Sequence, residues 1–162
     1  MKVILHDLGP AYYGMIEAGC DRMLAADGKY APCQGCFGCW TKHPAECFMK
    51  DSLRQVCRVI GRADELVIVT KNLYGGYSAA VKNVRDRAIG TSTPLSTYRA
   101  RQMHHTLRYG KRDLMKVIVY GEITETEKDS FRELAERNAI NEGYERSEIV
   151  FLEDLAGLEG SL

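Results

Sequence analysis

The chain has 162 residues, 45% hydrophobic and 27% charged, with 22 lysines and arginines balancing 22 aspartates and glutamates. This length and composition predict one globular domain over residues 1–162 and exclude a disordered or fibrous chain. Zero formal net charge argues against a nucleic-acid partner. Runs such as Leu66-Val67-Ile68-Val69 are too short to span a membrane. The amino terminus turns polar at His6-Asp7, too early for a signal peptide, so a cytoplasmic chain is expected.

In chain order, Val3 to Leu8 reads as a short apolar strand closed by the turn pair Gly9-Pro10. Tyr12 to Ala26 has helical spacing, with Ile16, Cys20, Met23 and Leu24 on one face. Asp27-Gly28 breaks it, and Lys29 to Ala31 leaves room for a second strand that is short or missing. A cysteine-rich loop runs from Pro32 to Met49. Asp51 or Ser52 suits a helix cap before the stripe Leu53, Val56, Cys57 and Ile60. Glu65 to Thr70 is the clearest strand, continuously apolar as a parallel strand covered on both faces must be. A loop from Lys71 to Tyr77 leads into a helix from Ser78. Thr91 to Asp113 is a long polar insertion with little periodicity, a length that is usually functional or mobile inside a compact domain. Leu114 to Tyr120 is another strand. Thr124 and Glu127 have capping-box spacing at the head of a helix that Gly143 ends. Glu148 to Leu152 is the last strand.

Strands alternating with helices predict a three-layer α/β/α sandwich around a parallel sheet. Ligands of such sheets sit beyond the carboxyl ends of the strands. The loops Asp7–Tyr13, Thr70–Ser78 and Tyr120–Thr124 are therefore the candidate site.

Two motifs carry possible chemistry. Cys33, Cys36 and Cys39 form a C-x2-C-x2-C run, with Cys47 eight positions later. Such spacing suits one face of an iron–sulfur cluster. Zinc and a set of reduced, partly buried thiols are the alternatives, and all three predict that the four sulfurs share one environment. Cys20 and Cys57 sit on predicted apolar faces and read as small buried hydrophobes. Thr70-Lys71-Asn72-Leu73-Tyr74-Gly75-Gly76 follows the best strand. Its glycines allow close approach of a flat ligand, its amides suit the ligand's edges, and Tyr74 offers a stacking ring. The bland alternative is a loop that only turns the chain.

Taken together, Pro32-Cys33-x-Gly35-Cys36-x-x-Cys39, Cys47-x-x-x-Asp51, Tyr74-Gly75 and Asp86-Arg87 resemble the flavodoxin-like NAD(P)H-dependent FMN reductases and iron–sulfur flavoproteins. The motifs lie between Ala31 and Arg87, and the rest of the chain matches in topology. The resemblance implies a flavodoxin-like fold, bound FMN and a four-iron four-sulfur cluster in some members. It also implies NAD(P)H as donor, a small-molecule or protein electron acceptor, and a homodimer or homotetramer. It places the flavin against Thr70, Lys71, Asn72, Leu73, Tyr74, Gly75, Gly76, Tyr120 and Gly121, with any cluster on Cys33, Cys36, Cys39 and Cys47. No side chain need serve as a catalytic acid or base, because a flavin carries the hard chemistry.

The first loop departs from the family. Asp7-Leu8-Gly9-Pro10-Ala11-Tyr12-Tyr13 carries an acid and no serine or threonine to hold a phosphate. An alternative reading follows from this: a flavodoxin-like scaffold without FMN, serving as a metal-binding or interaction module. The basic stretch around Arg99, Arg101 and Arg108 suits a phosphate of the dinucleotide or of FMN, or is a solvated surface loop.

Overall fold

The computed structural model describes every residue except Ala100. Five strands form one parallel sheet: β1 (Lys2–His6), β2 (Arg22–Ala25), β3 (Glu65–Lys71), β6 (Arg112–Tyr120) and β7 (Tyr144–Leu152), in the order β2-β1-β3-β6-β7. The helices are α1 (Tyr13–Ala18), α2 (Val56–Gly61), α3 (Ala79–Arg87) and α4 (Glu125–Glu142). A separate antiparallel hairpin, β4 (Ser92–Arg99) and β5 (Gln102–Leu107), projects between α3 and β6. This is the three-layer sandwich that the alternation of elements predicts, in the flavodoxin-like form that the resemblance implies.

Successive strand residues face opposite layers. Val3, Leu5, Leu66, Ile68, Met115 and Val117 join one core with Val56, Val84 and Phe131 from the helices. Ile4, Val67, Val69 and Ile118 join a second with Ile16 and Leu158. The second layer is thin, built from the short α1 and the 3-10 turns at 155–161.

Local signals hold where the chain itself satisfies them. Ser78 caps α3 by accepting from the Val81 amide. Thr124 and Glu127 form a reciprocal capping box on α4, which ends in Gly143 at φ +80°.

Two expectations are corrected. The helix read over Tyr12 to Ala26 stops at Ala18, and Arg22 to Ala25 is the second strand, four residues long. The edge of β1 offers unpaired backbone groups, and Arg22 to Ala25 pairs with Val3 to His6 in register. Asp21 locks the entry, its carboxylate accepting from Lys2 N at 2.7 Å and its own N–H donating to Lys2 O at 3.0 Å. Sheet pairing outweighs the helical spacing there, and Lys29 to Ala31 forms no strand. The polar insertion at Thr91 to Asp113 is also not irregular, since most of it is the β4–β5 hairpin and the start of β6.

Candidate functional site

β3 delivers its last residues to a tight, rigid turn. Leu73 N donates to Gly76 O at 3.0 Å and Gly76 N returns to Leu73 O at 3.1 Å. Tyr74 and Gly75 between them have φ of +52° and +76°, the signature of a type I′ turn. Glycine suits this backbone, whereas a tyrosine there is strained by about 1–2 kcal/mol. The Asn72 side chain braces the turn, accepting from Gly75 N at 3.0 Å and donating to Glu122 O at 2.9 Å. Gly75 is pressed on α4, where a Cβ would stand 3.0 Å from Glu127 O. The result is a fixed platform that leaves the Tyr74 ring 90% exposed. Thr70 lies beneath it, buried, its Oγ1 accepting from Ser78 N at 2.9 Å.

The amides of Leu73, Gly75 and Gly76 are spent inside the turn. The expectation that they bond a ligand's edges is corrected on that ground, while the ring of Tyr74 stays available.

Asp7 ties the carboxyl ends of the three central strands together. Its Oδ2 accepts from Lys71 N at 3.0 Å and its Oδ1 from the Tyr120 hydroxyl at 3.1 Å. Burial, with the Asp7 charge beside it, pushes the Tyr120 hydroxyl well above the usual phenol range. Its neighbour His6 is fully buried and accepts from Leu8 N at 3.2 Å, and desolvation lowers its pKa below the ordinary imidazole value. Gly121, at φ +93°, lies beside the Lys71 side chain. Thr70, Lys71, Asn72, Leu73, Tyr74, Gly75, Gly76, Tyr120 and Gly121 are thus gathered at one end of the sheet.

The exposed Tyr74 ring offers a stacking face to a flat aromatic group. The phosphate-facing part of this end does not fit FMN. A phosphate beyond β1 would meet the Asp7 carboxylate, no serine or threonine stands in the loop, and α1 is only 6 residues long.

Arg99 is elsewhere. Its guanidinium donates to His105 O at 3.0 Å and Asn141 O at 2.8 Å, tying the hairpin to the last turn of α4. That turn lies at the amino ends of the strands, opposite Tyr74. Arg101, at φ +62°, is exposed where the hairpin reverses. Within one chain neither joins the loops around Asn72 and Asp7.

The cysteine loop lies against the end of α3. Cys33, Cys36, Cys39 and Cys47 line one cavity of about 90 Å³ with Phe37 and Arg87, so the four share one environment. Among the described residues, however, no three histidine, cysteine, aspartate or glutamate side chains are gathered to hold a metal ion. The sulfurs as arranged do not fit an iron–sulfur cluster or zinc.

Cys39 is instead paired with Cys57, which the sequence reading places in the core as a filler. The Cys57 thiol donates to Arg87 O at 3.3 Å and stands beside Cys39 across Gly90. The neighbouring Cys57 thiol, with the nearby charges of Arg108 and Arg87, brings the Cys39 thiol down to about 7. Cys57 itself, coupled to Cys39 and buried, is pushed up. The helical spacing of Cys57 gives its burial correctly and conceals its partner.

No family model and no curated protein matches the chain. Its fold does have solved relatives. A candidate quinone reductase of Klebsiella pneumoniae superposes with a TM-score of 0.58 at 15% identity, over 99% of this chain and 80% of that one. An FMN-dependent NADH-azoreductase of Bacillus anthracis, solved in complex with FMN, gives 0.55 at 13% identity over 93% and 85%. A flavodoxin, WrbA-like protein of Agrobacterium tumefaciens gives 0.51 at 13% identity over 98% and 87%. Identities this low show a shared fold.

Proposed function

We propose that the chain is a flavin-dependent oxidoreductase of the NAD(P)H-dependent FMN reductase type, passing electrons to a small-molecule or protein acceptor. One observation carries this reading. A strained turn at the carboxyl end of the central strand holds the Tyr74 ring 90% exposed, and such strain is kept where function uses it. The fold it shares with an FMN-bound azoreductase supports the same reading.

A bound flavin supplies the hydride and electron transfer. Tyr74 would stack on its ring, Asn72 fixes the turn that aims Tyr74, and the Tyr120–Gly121 loop would border the ring. Asp7 would repel a phosphate placed beyond β1. The iron–sulfur expectation finds no converging ligand set among the described residues and plays no part in the reading.

No helix among the described residues is long and apolar enough to cross a membrane. The proposal takes the cytoplasm as the site of action. It also takes a homodimer or homotetramer as the assembly, with Leu95, Tyr98 and Met103, 68%, 77% and 68% exposed on the hairpin, as its contact.

The test is a fluorescence titration of purified protein with riboflavin and with FMN. Uptake of both with similar affinity is expected, and Tyr74→Ala should weaken both. A second reading, a scaffold without flavin, is favoured by the two hydrogen bonds that occupy Asp7. Uptake of neither flavin would decide for the scaffold.

A further inference from the structure

We propose that Cys39 and Cys57 form a dithiol that exchanges with small disulfides, Cys39 attacking from the cavity and Cys57 resolving from the core behind it. The proposal does not depend on the flavin reading.

The first ground is proximity enforced by a missing side chain. Gly90, just past the end of α3, faces both cysteines. A Cβ there would lie 2.9 Å from Cys57 Sγ and 3.0 Å from Cys39 Cβ. Only glycine lets the cysteine loop settle this closely on α2 and on the turn at 89–91. The loop is pinned in that place, because Ala45 N donates to Cys39 O at 2.9 Å and Trp40 Nε1 donates to Ile89 O at 2.9 Å. Cys39 is therefore held across Gly90 from Cys57.

The second ground is the division of access. Cys57 is fully buried, whereas Cys39 is half-buried and lines the cavity. A reagent entering the cavity meets Cys39, and Cys57 is reached through it. Attacking and resolving thiols need this arrangement.

The third ground is the cavity wall. Phe37, Phe48, Met49 and Ile89 give an apolar lining, and Arg87 also lines the cavity, its guanidinium bound to Asp51. Arg87 Nε is buried without a partner. Apolar walls suit a disulfide and its methylenes.

The chemistry balances with a small disulfide RSSR as oxidant. The Cys39 thiolate attacks one sulfur, the S–S bond of RSSR breaks, and RS⁻ leaves with Cys39–S–SR formed. Cys57 then attacks the Cys39 sulfur, its proton passing to the departing RS⁻. The Cys39–Cys57 disulfide forms and the second thiol leaves as RSH. Two protein thiols are oxidised and one RSSR is reduced to two thiols.

Glutathione disulfide is the probe. Native full-length protein is incubated with it, free thiols are alkylated, and tryptic peptides are mapped without reduction. Tyr30 to Lys42 holds Cys33, Cys36 and Cys39 in one peptide, so fragmentation assigns the sulfur. The expected product joins Cys39 to the Gln55–Arg58 peptide through Cys57 and is reversed by dithiothreitol. Cys57→Ser should stop at a Cys39–glutathione adduct, and Cys39→Ser should leave Cys57 free. Cys57→Ala serves if the serine variant does not fold, and the wild-type map needs no variant. Disulfides confined to Cys33, Cys36 and Cys47, or recovery of Cys39 and Cys57 as free thiols, would overturn the proposal.

Discussion

Arg87 and Asp51 clamp the cysteine loop to the end of α3. Arg87 donates to both carboxylate oxygens of Asp51 at 2.8 Å each and to Ala31 O at 2.7 Å, with its side chain 1% exposed. A bidentate pair of this kind fixes direction as well as distance. Asp51 also accepts from Ala31 N and Leu53 N, so one carboxylate organises both ends of the loop.

Breaking the pair from one side leaves a buried charge uncompensated. Asp51→Asn should therefore cost about 3–5 kcal/mol, read as a lowered midpoint in urea denaturation. It should also speed alkylation of Cys39, because the loop loses its clamp. The Arg87 guanidinium holds the Asp51 carboxyl below the ordinary carboxylate range. Stability from the pair is thus complete above the unfolded aspartate value and is lost as pH falls through the lower folded value. Acid titrations of wild type and Asp51→Asn should converge at the acidic end; curves that stay parallel would contradict the assignment.

Asp7 is the residue that sets the chain apart at its phosphate end. Asp7→Ser removes the repelling charge and adds a hydroxyl donor. FMN should then bind more tightly than riboflavin, whereas wild type should barely distinguish them. A charge-assisted hydrogen bond is worth about 1.5–3 kcal/mol, roughly tenfold or more in the FMN-to-riboflavin ratio. Titrations at two salt concentrations check this, since a phosphate contribution fades with salt and a ring contribution does not. An unchanged ratio would mean that the loop is not where the phosphate lies.

Tyr74 separates stability from binding. Asparagine tolerates positive φ better than tyrosine, so Tyr74→Asn should leave stability unchanged or raise it by up to about 1 kcal/mol. The same change removes the stacking ring, worth about 0.5–1.5 kcal/mol beyond its area, and should weaken riboflavin several-fold. Thermal melts and flavin titration of one protein sample test both halves. A parallel loss of stability and affinity would return the turn to a purely structural role.

What was legible in the sequence was local. The apolar run of β3, the Ser78 cap and the Thr124–Glu127 box each declare themselves within a few residues, and the structure has them all. The strand Arg22–Ala25 was not legible, because its identity lies in pairing with β1 rather than in its own pattern. The hairpin was hidden by Pro94 and by an irregular register between Ser92 and Ser96 that obscures alternation. The cysteine cluster was visible as spacing. The partner of Cys39 was not, since Cys57 comes from another element and meets it only across Gly90.

Gly90 is where that meeting is decided, and it supplies the last prediction. A Cβ at this position would press on Cys57 Sγ, on Cys39 Cβ and, at 3.2 Å, on Cys39 O. The backbone oxygen cannot rotate away, so the cysteine loop must lift by a few tenths of an ångström. Overpacking of this size costs about 1–3 kcal/mol. Trp40 is the chain's single tryptophan and sits on the same loop, its ring 4.5 Å from His105 and 4.9 Å from Phe37. Its fluorescence therefore reports the loop's seating directly. Gly90→Ala should lower the urea midpoint followed at Trp40 and shift the native emission, as the indole loses its hydrogen bond to Ile89 O. With the sulfurs spread apart, glutathione disulfide should leave the variant as a Cys39 adduct rather than a Cys39–Cys57 bridge. A variant with wild-type emission, midpoint and bridge would show that the glycine has no part in holding the two cysteines together.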